Sequence, residues 1–321
     1  MITPPCATNS MLDTIGNTPV VQLSKVVPER AGKVFVKLEY FNPTGSYKDR
    51  MARTMIAEAE RRGSLKPGMT VVEASGGSTG SSLAFVCAVR GHRFHVVSSN
   101  AFAQEKLRTI AAFGAIVELI ESPTGKITAD LIPSMIARAR ELGEMDGYLY
   151  SDQFNNPDSL AGYRTIGEEL IKQFPEGITA FCGAVGIGGM LIGTAQALKA
   201  AKPETHVVLL EPASSPTITE GRPGTHHVEG IGIGFMPPLL LKYPVYDEAR
   251  SVPETEARIM CQRLASEEGI FAGTSTGINV LAAIELAKEL GPTATVVTVA
   301  CDSGLKYTNG ALFNGSRYNT S

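Results

Sequence analysis

Short apolar runs rich in Val, Ile and Thr alternate with helix-period segments along most of this chain, and few architectures tolerate that alternation. The strand-like runs are "KVFVKLE" (33–39), "TVVEA" (70–74), "FHVVSS" (94–99), "AIVELI" (115–120), "ITAFCG" (178–183), "HVVLLEP" (206–212) and "ATVVTVA" (294–300). Helical patterns lie between them, near 47–62, 79–91, 103–113, 129–142, 159–173, 189–201, 255–268 and 277–290. Strands this continuously apolar must be covered on both faces, which implies βαβ units and mostly parallel sheets. The stretch 213–253, rich in Gly, Pro and Ser, breaks the rhythm and reads as a functional loop or a mobile flap. At 321 residues the chain is long enough for two domains on the prior of ~150 residues each.

Several function classes are disfavoured. The net charge is −3 with no basic run, so a nucleic acid or an anionic membrane has no electrostatic footprint to meet. The five cysteines (Cys6, Cys87, Cys182, Cys261, Cys301) are scattered and never form CxxC. They read as free thiols of a reducing compartment. The N-terminus has no basic segment followed by an apolar run, so a cytoplasmic location is expected. The uncharged stretch "ITAFCGAVGIGGMLIGTAQAL" (178–198) has the length of a membrane span, but its glycines divide it into strand, turn and helix start. The histidines show no HExxH spacing and His226-His227 cannot share a helix face, so no metal site is expected. GxxxxGK[ST] does not occur, and no nucleophile elbow is read in "GGSTG" (76–80). Gly186-x-Gly188 lacks the third glycine of a dinucleotide fingerprint, since Leu191 stands there.

Three loops share one character. "EASGGSTGSS" (73–82), "GAVGIGGM" (183–190) and "AGTSTGIN" (272–279) are Gly, Ser and Thr with almost no charge, each next to a strand or opening a helix. Glycine lets a backbone approach a ligand, and N–H groups at a helix start attract an anion, so "GIGGM" (186–190) is the best phosphate cradle. "NPTGSYKDR" (42–50) adds a reactive candidate. Ser46 and Asp49 fit a capping box that places Lys48 in the first helical turn. The helix dipole, partial burial and Arg50 disfavour the charged ammonium there, and Asp49 opposes them if it lies close. A free lysine amine near a phosphate loop is what pyridoxal phosphate chemistry needs.

Taken together, these motifs resemble the β-family of pyridoxal-phosphate enzymes (fold type II), and within it cysteine synthase and cystathionine β-synthase. The likeness runs over about residues 10–310. "IGNTPVVQL" (15–23), "NPTGSYKDR", "EASGGSTGSS", "DQFNNPDS" (152–159), "GIGGM", "EGIGIGFMPP" (229–238) and "GTSTG" (273–277) follow the family's order. The resemblance implies an α/β, tryptophan-synthase-β-like fold with two doubly wound, mostly parallel sheets flanked by helices. It implies a large cofactor-anchoring domain over 1–45 and 152–321, and a smaller mobile substrate domain over 46–151 that closes when substrate binds.

By the same resemblance, Lys48 holds pyridoxal 5'-phosphate as a Schiff base and then removes the substrate α-proton. Gly186, Ile187, Gly188, Gly189 and Met190 hold the phosphate, Ser275 meets the pyridine nitrogen, and Ser78 replaces an asparagine that reaches the ring oxygen. Ser75, Gly76, Gly77, Thr79 and Gln153 bind the substrate carboxylate, and Gly232 belongs to the flap over the substrate. A neutral hydroxyl at Ser275 favours β-chemistry through an aminoacrylate over transamination. The family loop usually reads Thr-Ser-Gly-Asn-Thr-Gly, so Gly76 and Ser78 are departures. Ile187 and Met190 likewise stand where hydroxyl residues are common, leaving the phosphate to backbone groups.

The implied reaction is β-replacement on an activated L-serine such as O-acetylserine, with sulfide or another nucleophile adding. Alternatives are a β-elimination lyase of cysteine desulfhydrase or serine/threonine deaminase type, a cystathionine β-synthase-type condensation, a relative without catalysis, and, from the GxG alone, a nicotinamide dehydrogenase. A small amino-acid substrate and a homodimer are expected, with no nucleic acid, membrane or metal. Neither a regulatory domain nor a haem segment is expected.

Overall fold

The computed structural model describes residues 7–313, apart from 124, 126, 127 and 129; Cys6 and the extreme N-terminus lie outside the described residues. The chain divides into two compact units. One comprises the described residues up to Asn17 together with Asn42–Thr44 and Lys48–Ser151; the other comprises Thr18–Phe41, Gly45–Tyr47 and the described residues from Asp152 onward.

In the smaller unit, β3 (Thr70–Ala74), β4 (Arg93–Ser99), β5 (Ile116–Ile120) and β6 (Tyr148–Tyr150) form a parallel sheet in the order β5-β4-β3-β6. Its helices are α1 (Lys48–Arg61), α2 (Ser78–Arg90), α3 (Gln104–Ala112) and α4 (Leu131–Gly143). Alternate strand residues feed two cores. Val71, Phe94 and Val96 pack with Leu83, Val86 and Ile110, while Val72, Ala74 and Val97 pack with Leu131, Met135 and Ala139. Both faces of the sheet are thereby covered, as parallel strands require.

The larger unit contains β1 (Val20–Gln22), β2 (Lys33–Leu38), β7 (Ala180–Ala184), β8 (His206–Pro212), β9 (Glu248–Val252) and β10 (Thr295–Ala300). Their order is β1-β2-β10-β7-β8-β9, parallel throughout except that β1 runs antiparallel to β2. Helices α5 (Asp158–Gln173), α6 (Gly189–Ala201), α7 (Pro238–Lys242), α8 (Glu254–Arg263) and α9 (Thr274–Leu290) accompany it, and α8 runs on into a π turn, Leu264–Glu268.

All seven expected strands form, with ends shifted by at most two residues. The strands not foreseen are β1, β6 and β9. Each lies at a sheet edge and is largely exposed or half-buried, so neither continuous burial nor clean alternation marks it. The 213–253 segment is mostly irregular but contains α7 and ends in β9. The 178–198 stretch is β7, a turn and the start of α6, and none of the described helices is long and apolar enough to cross a membrane.

Candidate active site

Within the smaller unit, Lys48 is the first residue of α1 and is half-buried. Ser46 and Tyr47, which precede it, belong to the larger unit, where Ser46 forms an isolated antiparallel bridge with Asp302. Tyr47 N–H donates to the Cys301 carbonyl at 3.1 Å, and Ser303 N–H donates to the Gly45 carbonyl at 3.0 Å. Asp49 accepts from the Thr44 amide at 2.8 Å and from its hydroxyl at 2.6 Å. The Thr44–Asp49 bonds brace the first turn of α1.

The Ser75–Gly80 loop connects β3 to α2. Ser75 Oγ accepts from the Gly77 amide at 3.3 Å and the Gly80 amide at 3.0 Å. Its oxygen is thus engaged in building the turn, and its O–H remains to donate, which suits a carboxylate acceptor. Thr79 is 6% exposed, and Ser78 opens α2 half-buried.

The remaining predicted residues sit in the larger unit. Gly186, Ile187 and Gly188 lie between β7 and α6, which Gly189 and Met190 open. No acceptor among the described residues takes the N–H groups of Gly186, Ile187 or Gly188, and the first N–H groups of any helix lack an intrahelical partner. Gly188 has φ +85, a conformation that favours glycine. A Cβ at Gly186 would come 2.2 Å from the Gly230 carbonyl oxygen, and one at Gly189 would come 2.9 Å from the Tyr163 ring. Ile187 and Met190 are buried, and Met190 points back at Gly183 of β7. What the loop offers a ligand is therefore its backbone.

Ser275 stands in the first turn of α9, 5% exposed, and no hydrogen-bond partner among the described residues claims its hydroxyl. One turn on, the wholly buried Asn279 ties α9 to two strand ends. Its Oδ1 accepts from the Ala184 amide at 2.8 Å, and its Nδ2 donates to the Val299 carbonyl at 2.8 Å. Residues four apart share a helix face, so this clamp fixes the face of α9 on which Ser275 stands. Asn279→Ala removes both bonds and leaves the buried Ala184 N–H without this acceptor, at about 1–3 kcal/mol. Thermal unfolding of that variant is expected to begin several degrees lower, and an unchanged transition would refute the clamp.

Gln153 is 6% exposed and follows Asp152, whose φ of +49 opens a turn closed by Asn155 and Asn156 amides on its carbonyl. Beside Gln153, Phe154 packs against Phe235 of the flap, with ring centroids 6.2 Å apart. Gly232, φ +61, is held by His226. Nε2 of His226 lies 2.7 Å from the Gly232 carbonyl, and its Nδ1 accepts from the Val228 amide. With Nδ1 accepting, Nε2 is the nitrogen that donates to the Gly232 carbonyl. Tyr307 donates to Asp302 Oδ2 at 2.8 Å; burial, then that carboxylate, hold its phenol well above the ordinary range, so it stays neutral. Burial pushes the thiols of Cys87, Cys182 and Cys261 up to about 12, which leaves them unreactive.

The donor set fits pyridoxal phosphate: unclaimed amides at a helix start for a phosphate, and an unclaimed neutral hydroxyl for a pyridine nitrogen. The family comparison agrees, because residues 11–302 match the model of the pyridoxal-phosphate dependent enzymes. The chain belongs to this family. Pyridoxal phosphate is accordingly its cofactor. A cysteine synthase of Staphylococcus aureus is 42% identical over 309 residues, covering 95% of this chain and 97% of that one. The crystal structure of O-ureido-L-serine synthase superposes with a TM-score of 0.90 at 37% identity and 98% coverage of both chains. That of O-acetylserine sulfhydrylase isoform 3 from Entamoeba histolytica also gives 0.90, at 32% identity, covering 100% of this chain and 96% of that one.

Sequence reading missed His226 as a brace, Phe102 beside Gly76, and Asn279. The last had a local signal, a lone amide four residues past Ser275 in the otherwise apolar run "GINVLAAI" (277–284).

Proposed function

We propose that the protein catalyses β-replacement on an activated L-serine of the O-acetylserine kind, with sulfide or another nucleophile adding to give cysteine or an analogue. The observation that carries this reading is the pairing of an amide cradle at Gly186–Met190 with the neutral Ser275 hydroxyl, joined through Asn279. Gly186, Ile187, Gly188, Gly189 and Met190 hold the cofactor phosphate by backbone N–H groups. Ser275 Oγ hydrogen-bonds the pyridine nitrogen without supplying the negative charge that would keep it protonated. When bound, pyridoxal phosphate supplies an electron sink that acidifies the substrate α-proton and lets a β-substituent depart. Lys48 Nζ would hold the cofactor and serve as the general base toward that α-proton. The substrate carboxylate is held by the loop Ser75-Gly76-Gly77 with Thr79 and by Gln153, Ser78 assists the cofactor ring, and the flap at Gly232 covers the substrate. The same reading makes the protein a cytoplasmic homodimer.

The visible absorption of purified holoenzyme tests this. The cofactor band is expected to change on adding O-acetylserine and to return on adding sulfide, with cysteine formed. A band that changes but does not return with sulfide would mean elimination, and one indifferent to O-acetylserine would overturn the substrate.

A further inference from the structure

Gly76 is not positively twisted, so its backbone does not demand glycine. The demand comes from a neighbour. A Cβ at Gly76 would stand 2.2–2.3 Å from Cδ1, Cγ and Cε1 of the Phe102 ring, all within the smaller unit. Because Cγ is among the atoms struck, a ring flip about its own axis gives no relief, and χ1 itself must change.

Phe102 is anchored against such a change. Its amide donates to the Ser99 carbonyl at 3.2 Å in the turn after β4, and its half-buried ring packs with Ala101 on the core of Val72, Ala74 and Val97. One turn further on, the stem of Lys106 lies 3.8 Å from where a Cβ of Gly77 would be, and Ile110 approaches Gly80. The segment after β4 therefore backs the whole Ser75–Gly80 loop, and its ring takes the volume of the residue-76 side chain.

We infer that Phe102 is the positioning residue that sets this chain's affinity for the substrate carboxylate, acting through Gly76. The inference rests on the role of the Ser75–Thr79 loop given under Proposed function. With the ring in place, residue 76 contributes only its backbone to the carboxylate, and the loop's shape is dictated from outside it.

The test is a double-mutant cycle on the holoenzyme with Gly76→Ala, Phe102→Ala and both together. KM and kcat for O-acetylserine are read with the thermal transition and with the dissociation constant of L-alanine, which has the carboxylate but no leaving group. Gly76→Ala alone should raise KM and the L-alanine constant about tenfold and lower the transition. Phe102→Ala makes room for the methyl, so the double variant should bind within about threefold of Phe102→Ala. This non-additivity is expected of groups in direct contact.

Effects that simply multiply would overturn the proposal. So would a cycle that is non-additive in thermal stability while both binding constants stay fixed, since the ring would then be packing alone. If the native protein ignores O-acetylserine, the β-replacement reading fails separately. The L-alanine arm then still decides for or against Phe102.

Discussion

Lys48→Ala is expected to lose the visible band that borohydride abolishes in the native protein, and to lose turnover by more than about a thousandfold. The size follows from two duties in one atom: covalent retention of the cofactor and proton transfer, the second alone typically contributing 10²–10⁴-fold. The position supports so large an effect. Lys48 opens α1, the backbone just before it is bonded to Cys301 and Ser303, and Asp49 just after it is bonded to Thr44. The amine's attachment point is thus fixed by groups that the substitution does not touch. The variant should fold, bind the cofactor without the covalent link and show no band of the native kind. Retention of the native band would remove Lys48 from the chemistry.

Gly186→Ala should weaken cofactor binding by one to two orders of magnitude. Its new Cβ meets a backbone oxygen, that of Gly230, at 2.2 Å, and a backbone atom cannot swing aside as a side-chain tip does. Overpacking of this kind costs about 1–3 kcal/mol, which is about five- to 150-fold in a dissociation constant. Relief requires moving either the cradle or the segment leading to Gly232, and the Gly232 amide is itself bonded to the Val185 carbonyl at 3.0 Å. Titration of apoprotein with pyridoxal phosphate measures the effect. Unchanged affinity would show that this loop is not the phosphate site.

The interior of the fold was readable because its strands are runs such as "HVVLLEP" and "ATVVTVA", whose burial on both faces leaves no room for alternation. The edge strands β1, β6 and β9 answer to one neighbour and half a core, so their residues carry a weaker pattern. Helix α9 begins at Thr274, three residues before the periodic run suggests, because Thr276 Oγ1 and Asn279 fasten its first two turns to Cys301 and Ala184. The glycine loops were legible as loops. Which glycine serves a ligand and which serves a neighbour was not, since Gly76 answers to Phe102 and Gly273 to Tyr307 and Asp302. Such pairs join residues 26 or more positions apart, and no local rule connects them.

The strand order of the larger unit also dictates a timetable. β2 sits between β1 and β10, with Thr295 paired to Lys33 and Ala300 to Leu38. A nascent chain therefore makes one of its inner strands early and that strand's parallel partner last, on the order of tens of seconds later at ordinary rates of synthesis. Through that interval Val34 and Val36, wholly buried in the finished protein, lie in a strand that has only the edge strand β1 to pair with. The closing of so long a loop is slow, and the waiting strand is open to misassociation. Loss of the last strand would accordingly cost the ribosome's earliest work as well as its latest.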